Sequence, residues 1–295
     1  MIVSADPMNP NNETTGNLKK QAMSYEDRPW PANGDLRPTL SRALNHPLNA
    51  GVLEEAHRIL RACRSNPTAC RRDDLDQCPA TIRTTIRRME LLSTMENLSE
   101  RRFLLLGDDD LLSVALAAAH LSVHLTVLDL DLALLERIKR WASDVHVIHH
   151  DLRLGLPPIL SCQFDVVFTD PPYTVAGQML FLRYAIDALC PSTHASLYLC
   201  ASRAYLSFYQ IAQIVEKAKQ AGLRLVAIHE DFNEYRSPPD VVMDLKRRTA
   251  RNCIAFLRSS LLHFKPSTAF LCSRSVPLLP DDIYSYYNEA SDATC

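Results

Sequence analysis

Short apolar runs alternate with longer helical stretches after Arg102, and this alternation restricts the possible folds of the chain more than any other feature. The seven runs are FLLLG, HLTVLDL, VHVIHHD, FDVVFTD, ASLYLCAS, LRLVAIHED and NCIAFLRS. Runs of this kind with helices between them predict an α/β fold built on a mostly parallel sheet that helices cover on both faces. In such sheets ligands bind at the carboxyl ends of the strands. The residues that follow each run are therefore the candidates for a functional site.

The 295 residues are enough for one α/β domain and a smaller second one. Residues 1–42 show little apolar periodicity and predict a flexible N-terminal arm. Residues 43–100 have apolar residues at helical spacing and predict a small helical domain. Residues 101–264 form the expected Rossmann-like catalytic domain, and residues 265–295 the expected C-terminal tail.

Composition excludes several classes of protein. With 32 basic and 34 acidic residues the net charge is −2, which disfavours nonspecific binding to nucleic acid. No apolar run approaches the roughly 18 residues that would span a membrane, so we expect no membrane partner. The nine cysteines lack C-x2-C spacing, which predicts free thiols, no bound metal and a cytoplasmic protein. The seven glycines are too few for the usual glycine-rich nucleotide loop.

The basic residues are concentrated in the region before the first strand. Ten arginines and six acidic residues lie between positions 58 and 102. A solvated helical face is the simpler interpretation, and a docking surface for another subunit or an anionic partner is the alternative.

Acidic residues follow one predicted strand after another. An aspartate at one strand end is commonly a helix cap, and this alternative applies to Asp108 and Asp131 taken singly. It does not explain a series of five such positions. Residues 103–240 contain sixteen acidic and ten basic residues, so a cationic ligand is expected. The strand ends carry Gly107, Asp108, Asp109, Asp110, Asp129, Asp131, Asp151, Asp170, Glu230, Asp231 and Glu234.

The positions of individual acids indicate a nucleoside. Asp129 comes about twenty residues after the first loop, where a carboxylate can accept the ribose hydroxyls of a nucleoside. Asp151 is suited to the exocyclic amine of adenine, although it could also be an ordinary cap. Three consecutive carboxylates in the first loop would repel a pyrophosphate but suit a sulfonium nucleoside. S-adenosylmethionine and its decarboxylated form both meet this description.

The fourth run ends in the sequence DPPYT, Asp170–Thr174. The two prolines lack N–H donors and fix the backbone, so the loop presents acceptors that suit an amine nucleophile. DPPY is also the motif of amino-methyltransferases that act on adenine in nucleic acid, where the tyrosine stacks on a flipped base. This alternative stays open.

The segments LGDDDLLSVALA, VLDLDLALLERI, DLR, FDVVFTDPPYT and DFNEY, in this order, resemble the branched-chain polyamine synthases. These enzymes are aminopropyltransferases similar to N4-bis(aminopropyl)spermidine synthase. The preceding stretch LDQCPATIRTTIRRMELL looks like the end of that family's N-terminal winged-helix-like domain. The resemblance implies a class I methyltransferase-type fold, decarboxylated S-adenosylmethionine as donor and a polyamine amine as acceptor.

The resemblance also implies roles for the motif residues. Asp110 and Asp170 would hold the attacking amine. Because an amine with a pKa of about 10 arrives protonated, one carboxylate must accept its proton. We predict Asp110 as this base and Asp170 as the orienting residue. The donor would contact Gly107, Asp108, Asp109, Asp129, Leu130, Asp151 and Leu152, and the acceptor Pro171, Pro172, Tyr173, Glu234 and Tyr235.

Other functions stay open at this point. Intact S-adenosylmethionine could donate a methyl or 3-amino-3-carboxypropyl group if Arg153, Arg203 or Arg236 paired with its carboxylate. The chain could instead be a regulatory module that binds a partner protein or DNA through its basic helices. A homodimer is also left open. Residues 232–251 predict a lid over the substrate.

Overall fold

Seven strands form one sheet in the computed structural model, which describes residues 48–65, 72–75, 77–96, 98–119, 123–236, 256–268 and 270. The order in the sheet is β3-β2-β1-β4-β5-β7-β6, and only β7 runs antiparallel to its neighbours. This confirms the predicted mostly parallel α/β sheet. The strands are β1 (Arg102–Leu106), β2 (His124–Asp129), β3 (His146–His149), β4 (Val166–Thr169), β5 (Ser196–Ala201), β6 (Leu223–Arg236) and β7 (Phe256–Pro266).

Six α-helices are described, and five of them begin at a side chain that accepts a backbone N–H. These caps are Asn49, Thr81, Asp131, Thr174 and Ser207. Asp131 therefore has the capping role that was considered for it. The helices are α1 (Ala50–Cys63), α2 (Ile82–Met95), α3 (Leu112–Ala118), α4 (Leu132–Trp141), α5 (Val175–Ala188) and α6 (Phe208–Gln220).

The strand order reverses between β1 and β4, and this position locates the site. The residues of β4 are buried throughout, as are all those of β1 after Arg102, because helices cover both faces of the central strands. The connection after β1 leads to β2 on one side, and the connection after β4 leads to β5 on the other. The loops after β1 and β4 therefore diverge and leave a crevice at the carboxyl edge of the sheet.

The two N-terminal helices pack on the sheet. Leu60 of α1 and Leu92 of α2 belong to the same buried cluster as Phe103 of β1 and Leu116 of α3. All described residues fall within one unit, Asn45–Cys295, so no break in packing marks the boundary expected at residue 100. The predicted division into domains remains a prediction. The expected arm at 1–42 and most of the expected tail lie outside the described residues.

The last two strands differ from their predicted extents. The predicted lid is wrong for residues 232–236, which belong to β6, while residues 237–251 lie outside the described residues. From His229 to Asn233, β6 has two more residues than the paired stretch of β7, and Asp231 within this bulge has a φ of 48°. The bulge sets which of the following side chains face the core.

The described helices include none with the length and apolar character that crossing a membrane requires. Cys190 and Cys200 are free thiols, as expected, whereas Cys162 is disulfide-bonded, which the sequence analysis did not predict.

Candidate active site

A cavity lies at the carboxyl ends of β1, β2 and β4, and most of the predicted site residues line it. Three predicted residues do not, namely Asp110, Asp151 and Glu234. The predicted residues that the cavity brings together are Gly107, Asp108, Asp109, Asp129, Leu130, Leu152, Asp170, Pro171, Pro172, Tyr173 and Tyr235.

The loop after β1 begins with a glycine that its backbone conformation requires. Gly107 has a φ of 74°, and its N–H donates to the carbonyl of Leu128 at 3.0 Å. The next residue, Asp108, uses its carboxylate inside the protein, where it accepts from Leu112 N at 2.7 Å and from Ser113 Oγ at 2.5 Å. Burial raises the pKa of Asp108 to about 8. Its carboxylate thus caps α3, although the residue also lines the cavity.

Asp129 is held in place by backbone donors. Its Oδ1 accepts from Asp131 N at 2.8 Å, and its Oδ2 accepts from Asp108 N at 3.2 Å. Burial raises its pKa to about 6, although these N–H groups oppose the increase. Each carboxylate oxygen retains acceptor capacity for a ligand, so the predicted ribose-binding role is geometrically feasible.

Asp109 differs from the other acids of the site because no described group donates a hydrogen bond to its carboxylate. It is partly exposed and lines the cavity. Burial raises its pKa well above the ordinary value, and the charges of Asp110, Asp170 and Asp129 raise it further. This carboxylate is therefore available to a cationic ligand and has a high affinity for a proton.

Asp170 is the carboxylate that hydroxyl groups surround. Its Oδ2 accepts from Tyr235 OH and from Arg88 Nη2, both at 2.6 Å, and its Oδ1 accepts from Tyr173 OH at 2.9 Å. Burial raises its pKa, and the charge of Arg88 opposes this increase. Two protein donors thus hold Oδ2 and one holds Oδ1, while the residue borders the cavity.

Asp110 occupies a different environment from the one predicted. Its Oδ2 accepts from Arg88 Nη1 and its Oδ1 from Ala80 N, and only 3% of the residue is exposed. A buried guanidinium and a backbone N–H already engage this carboxylate, which lies outside the cavity lining. The predicted role of Asp110 as the base stays a prediction, and we propose its neighbour Asp109 for this role below.

Asp151 and Glu234 also pair with arginines. Asp151 Oδ2 lies 2.7 Å from Arg153 Nη2, and this contact lowers the pKa of Asp151. Glu234 Oε1 lies 3.1 Å from Arg258 Nη2. Because adjacent residues of a strand point to opposite faces, Glu234 and Tyr235 could not both border the cavity. Neither carboxylate is among the residues that line the cavity, and their predicted ligand contacts stay predictions.

Several lining residues were not predicted. His150 lines the cavity while its Nε2 contacts Gly155 O at 2.6 Å. Gln77 donates to Asp131 Oδ2 at 3.1 Å and lines the cavity. The prediction considered the residues that follow each strand, so it did not include lining residues that come from helices and loops elsewhere in the chain. The other unpredicted lining residues are Leu75, Cys78, Leu128, Phe181, Tyr205 and Leu257.

We expect Asp110→Asn to destabilise the fold, because the change removes one of the two carboxylates that neutralise the buried Arg88. Loss of a buried partner of this kind costs about 3 kcal/mol in free energy of unfolding, measured from the urea midpoint. Asp74→Asn is the control, since Asp74 pairs with Arg72 at an exposed site and its midpoint should not change. Equal midpoints for Asp110→Asn and wild type would contradict the expectation.

A family model described as the branched-chain polyamine synthase A C-terminal domain matches residues 55–250. The chain belongs to the branched-chain polyamine synthase family. An N(4)-bis(aminopropyl)spermidine synthase of Methanocaldococcus jannaschii is 38% identical over 121 residues, which cover 39% of this chain and 35% of that protein. The synthase of the same name from Thermococcus kodakarensis is 31% identical over 166 residues, covering 54% of this chain and 47% of that protein.

The chain spans less than half the length of these curated branched-chain polyamine synthases. Among solved structures, the branched-chain polyamine synthase of Thermus thermophilus in complex with N4-aminopropylspermidine and 5'-methylthioadenosine matches with a TM-score of 0.61. It is 21% identical, and the match covers 76% of this chain and 68% of that one. This likeness confirms the class I methyltransferase-type fold that the family resemblance implied.

Proposed function

We propose that this branched-chain polyamine synthase homologue transfers an aminopropyl group from decarboxylated S-adenosylmethionine to an amine of a polyamine-like acceptor and releases methylthioadenosine. The observation that carries the proposal is the meeting of Asp109, Asp129 and Asp170 around one cavity, with Asp109 free of any described hydrogen-bond donor. Such a cavity suits two cationic ligands. The ligands named for the T. thermophilus relative are a branched polyamine and methylthioadenosine, which agrees with this chemistry.

The donor would occupy the side of the cavity formed by β1 and β2. Asp129 is the proposed acceptor for the ribose hydroxyls, with Leu130 and Leu152 as apolar contacts for the adenine. Asp151 remains a proposal for the adenine amine, and to act there it would have to share its carboxylate with Arg153. The acids of the first loop would stabilise the positive sulfur and the ammonium of the donor.

The acceptor amine would lie between Asp109 and Asp170. Asp170 accepts a hydrogen bond from an N–H of the amine and so orients the lone pair of the amine toward the carbon bound to sulfur. The arriving ammonium first passes one proton to the Asp109 carboxylate, which frees the lone pair. The new C–N bond then forms as the C–S bond breaks, methylthioadenosine leaves as a neutral thioether, and the alkylated amine is left as the ammonium product. The high proton affinity of Asp109 suits this proton transfer. Orientation and exclusion of water would account for most of the rate increase.

Two observations favour this reaction over its alternatives. Arg153 pairs with Asp151, and Arg203 is exposed and outside the lining, so neither is placed to hold the carboxylate of an intact donor. The ring of Tyr173 stacks on Tyr205 at 5.8 Å and its hydroxyl donates to Asp170, which leaves it poorly placed to stack on a flipped base. The side chain of Arg236 lies outside the described residues.

The decisive experiment incubates the purified full chain with decarboxylated or intact S-adenosylmethionine and a panel of linear and branched amines. Mass spectrometry follows the nucleoside product. We expect methylthioadenosine and an acceptor heavier by one aminopropyl group with the decarboxylated donor alone. S-adenosylhomocysteine from the intact donor would instead indicate methyl transfer and overturn the proposal. An absence of any nucleoside product across the panel would also overturn it.

Asp129→Asn should weaken donor binding more than it slows the chemical step. The neutral amide loses charge-assisted hydrogen bonds to the ribose, so we expect the donor KM to rise about 10-fold to 100-fold, with kcat changed less than about 5-fold. In wild type, donor affinity should also weaken as the pH falls below 6, because protonation of Asp129 with its pKa of about 6 removes the negative charge. Initial rates give the donor KM and kcat, and calorimetry with methylthioadenosine between pH 5 and 8 measures how nucleoside affinity depends on pH. A pH-independent affinity in wild type would contradict the assignment.

A further inference from the structure

The side chain at the centre of the acidic cluster is an arginine from α2. Arg88 is 1% exposed, and it does not follow any of the predicted strands. Its guanidinium contacts the two acidic loops and β6 simultaneously, and its Nη2 also lies 3.6 Å from the Cys200 thiol of β5. Nη1 donates to Asp110 Oδ2, Nη2 to Asp170 Oδ2 at 2.6 Å and to Tyr235 OH at 3.0 Å, and Nε to Asn233 Oδ1 at 2.8 Å.

This arrangement divides the acids of the site into two groups. Asp110 and Asp170 share the positive charge of Arg88, whereas Asp109 pairs with no described cation. Arg64 Nη2 donates to the backbone carbonyl of Asp110, and the charge of Arg64 partly opposes the increase in the pKa of Asp109 without contacting its carboxylate. An opposite charge in contact favours the ionised form of a carboxylate, so Arg88 lowers the proton affinity of Asp170 and opposes the increase in its pKa that burial causes.

The contacts of Arg88 also fix the position of Asp170. Its planar guanidinium holds Oδ2 together with Tyr235 OH, and Tyr235 OH in turn contacts Ser259 Oγ at 2.9 Å. The only described donor to Oδ1 is Tyr173. Oδ1 is thus the oxygen with fewer protein partners, and its orientation depends on how firmly Oδ2 is held.

We infer that Arg88 is a positioning residue for the proposed transfer reaction: it holds Asp170 ionised and oriented toward the acceptor amine, and so leaves proton acceptance to Asp109. The effect of Arg88 on catalysis rests on the proposed function. Its effect on the ionisation of Asp170 does not. Arg88 itself does not line the cavity and acts through Asp170 and Tyr235.

The test compares Arg88→Met and Arg88→Lys with Arg87→Met. Arg87 lies one residue earlier on α2, donates to Phe232 O at 3.0 Å and has no described contact with the acids, so it is a matched control. We expect kcat/KM at neutral pH to fall about 100-fold in Arg88→Met, because small misplacements of reacting groups have effects of that size. The donor KM should change little, because Asp129 does not contact Arg88.

The pH profile separates positioning from a merely structural role. Removal of the positive charge raises the pKa of Asp170, so in Arg88→Met the ionisation of Asp170 should add to that of the base Asp109 and move the acid limb of kcat/KM to higher pH. Arg88→Lys should give an intermediate shift, because an ammonium keeps the charge but cannot bind both carboxylates as a fork does. Arg87→Met should follow the wild-type profile. Acid limbs that coincide in wild type and both Arg88 variants would overturn the inference.

Titration of ¹³C-labelled aspartate by NMR gives a second readout that needs no turnover, with Asp170→Asn used to assign the resonance. We expect the pKa of Asp170 to rise in Arg88→Lys, and an unchanged value would overturn the inference even if Arg88→Met fails to fold. If wild type releases no methylthioadenosine with any amine, the proposed function fails, and the NMR titration still decides the role of Arg88.

Discussion

Asp109→Asn should lower kcat by about 100-fold to 10,000-fold, the range that loss of a general base produces. Asp109 is the lining carboxylate that no described group engages, and its pKa is raised by burial and by three neighbouring acids. An amide of the same shape can still accept a hydrogen bond from the amine but cannot take its proton. Donor affinity should fall far less than kcat does.

Single-turnover measurements with saturating donor isolate the chemical step for Asp109→Asn. The residual rate should increase with pH, because an acceptor amine that reaches the site already deprotonated needs no base. The isosteric control is Asp144→Asn, since Asp144 is exposed in the connection between α4 and β3 and should keep the wild-type rate. A wild-type rate for Asp109→Asn at neutral pH would remove this residue from the proposed role and return attention to the other acids.

Asp170→Asn should lower kcat at least 100-fold and also raise the acceptor KM. The change removes the carboxylate that Tyr173, Tyr235 and Arg88 hold in place, and it leaves the guanidinium with Asp110 as its single described acidic partner. An amine cation would then lose a charged acceptor in a buried site, where charge-assisted hydrogen bonds are strongest. Initial rates over a matrix of donor and acceptor concentrations separate the two parameters.

Asp165→Asn provides the matched control for Asp170→Asn, because it lies beside the opposite end of β4. Asp165 accepts from the backbone of Arg102 at 3.0 Å, far from the carboxyl edge of the sheet. It should leave both KM values unchanged, although the urea midpoint can fall. If Asp170→Asn altered stability alone and kept its turnover, Asp170 would be a purely structural member of the cluster.

The sequence was most informative for the positions of the strands and of the loops between them. Buried central strands require continuous apolar runs, and parallel strands bring their carboxyl ends to one edge, so Asp109, Asp129 and Asp170 could be brought together without coordinates. The directions in which these side chains point could not be predicted in this way. In the GDDD loop three consecutive identical residues face three environments, namely the cap of α3, the cavity and the Arg88 pair.

Other features depend on tertiary contacts that no local pattern encodes. Arg88 lies on α2, so an analysis of strand ends could not predict its burial between two acidic loops. The region before β1 reads as basic and solvated, yet this one arginine is among its least exposed residues. The extension of β6 through Phe232–Arg236 was missed because the bulge at Asp231 interrupts the alternation that identifies a strand.

That bulge offers a simple evolutionary route to a new acceptor preference. Side chains of a strand alternate between faces, so deleting one residue near Asp231 would turn Glu234 toward the cavity and carry Tyr235 outward. One deletion would thus replace a phenol side chain by a carboxylate on this part of the cavity lining. The residues proposed to bind the donor would not change. Length variation at this position would therefore change the charge of the cavity wall while the motif residues stay the same.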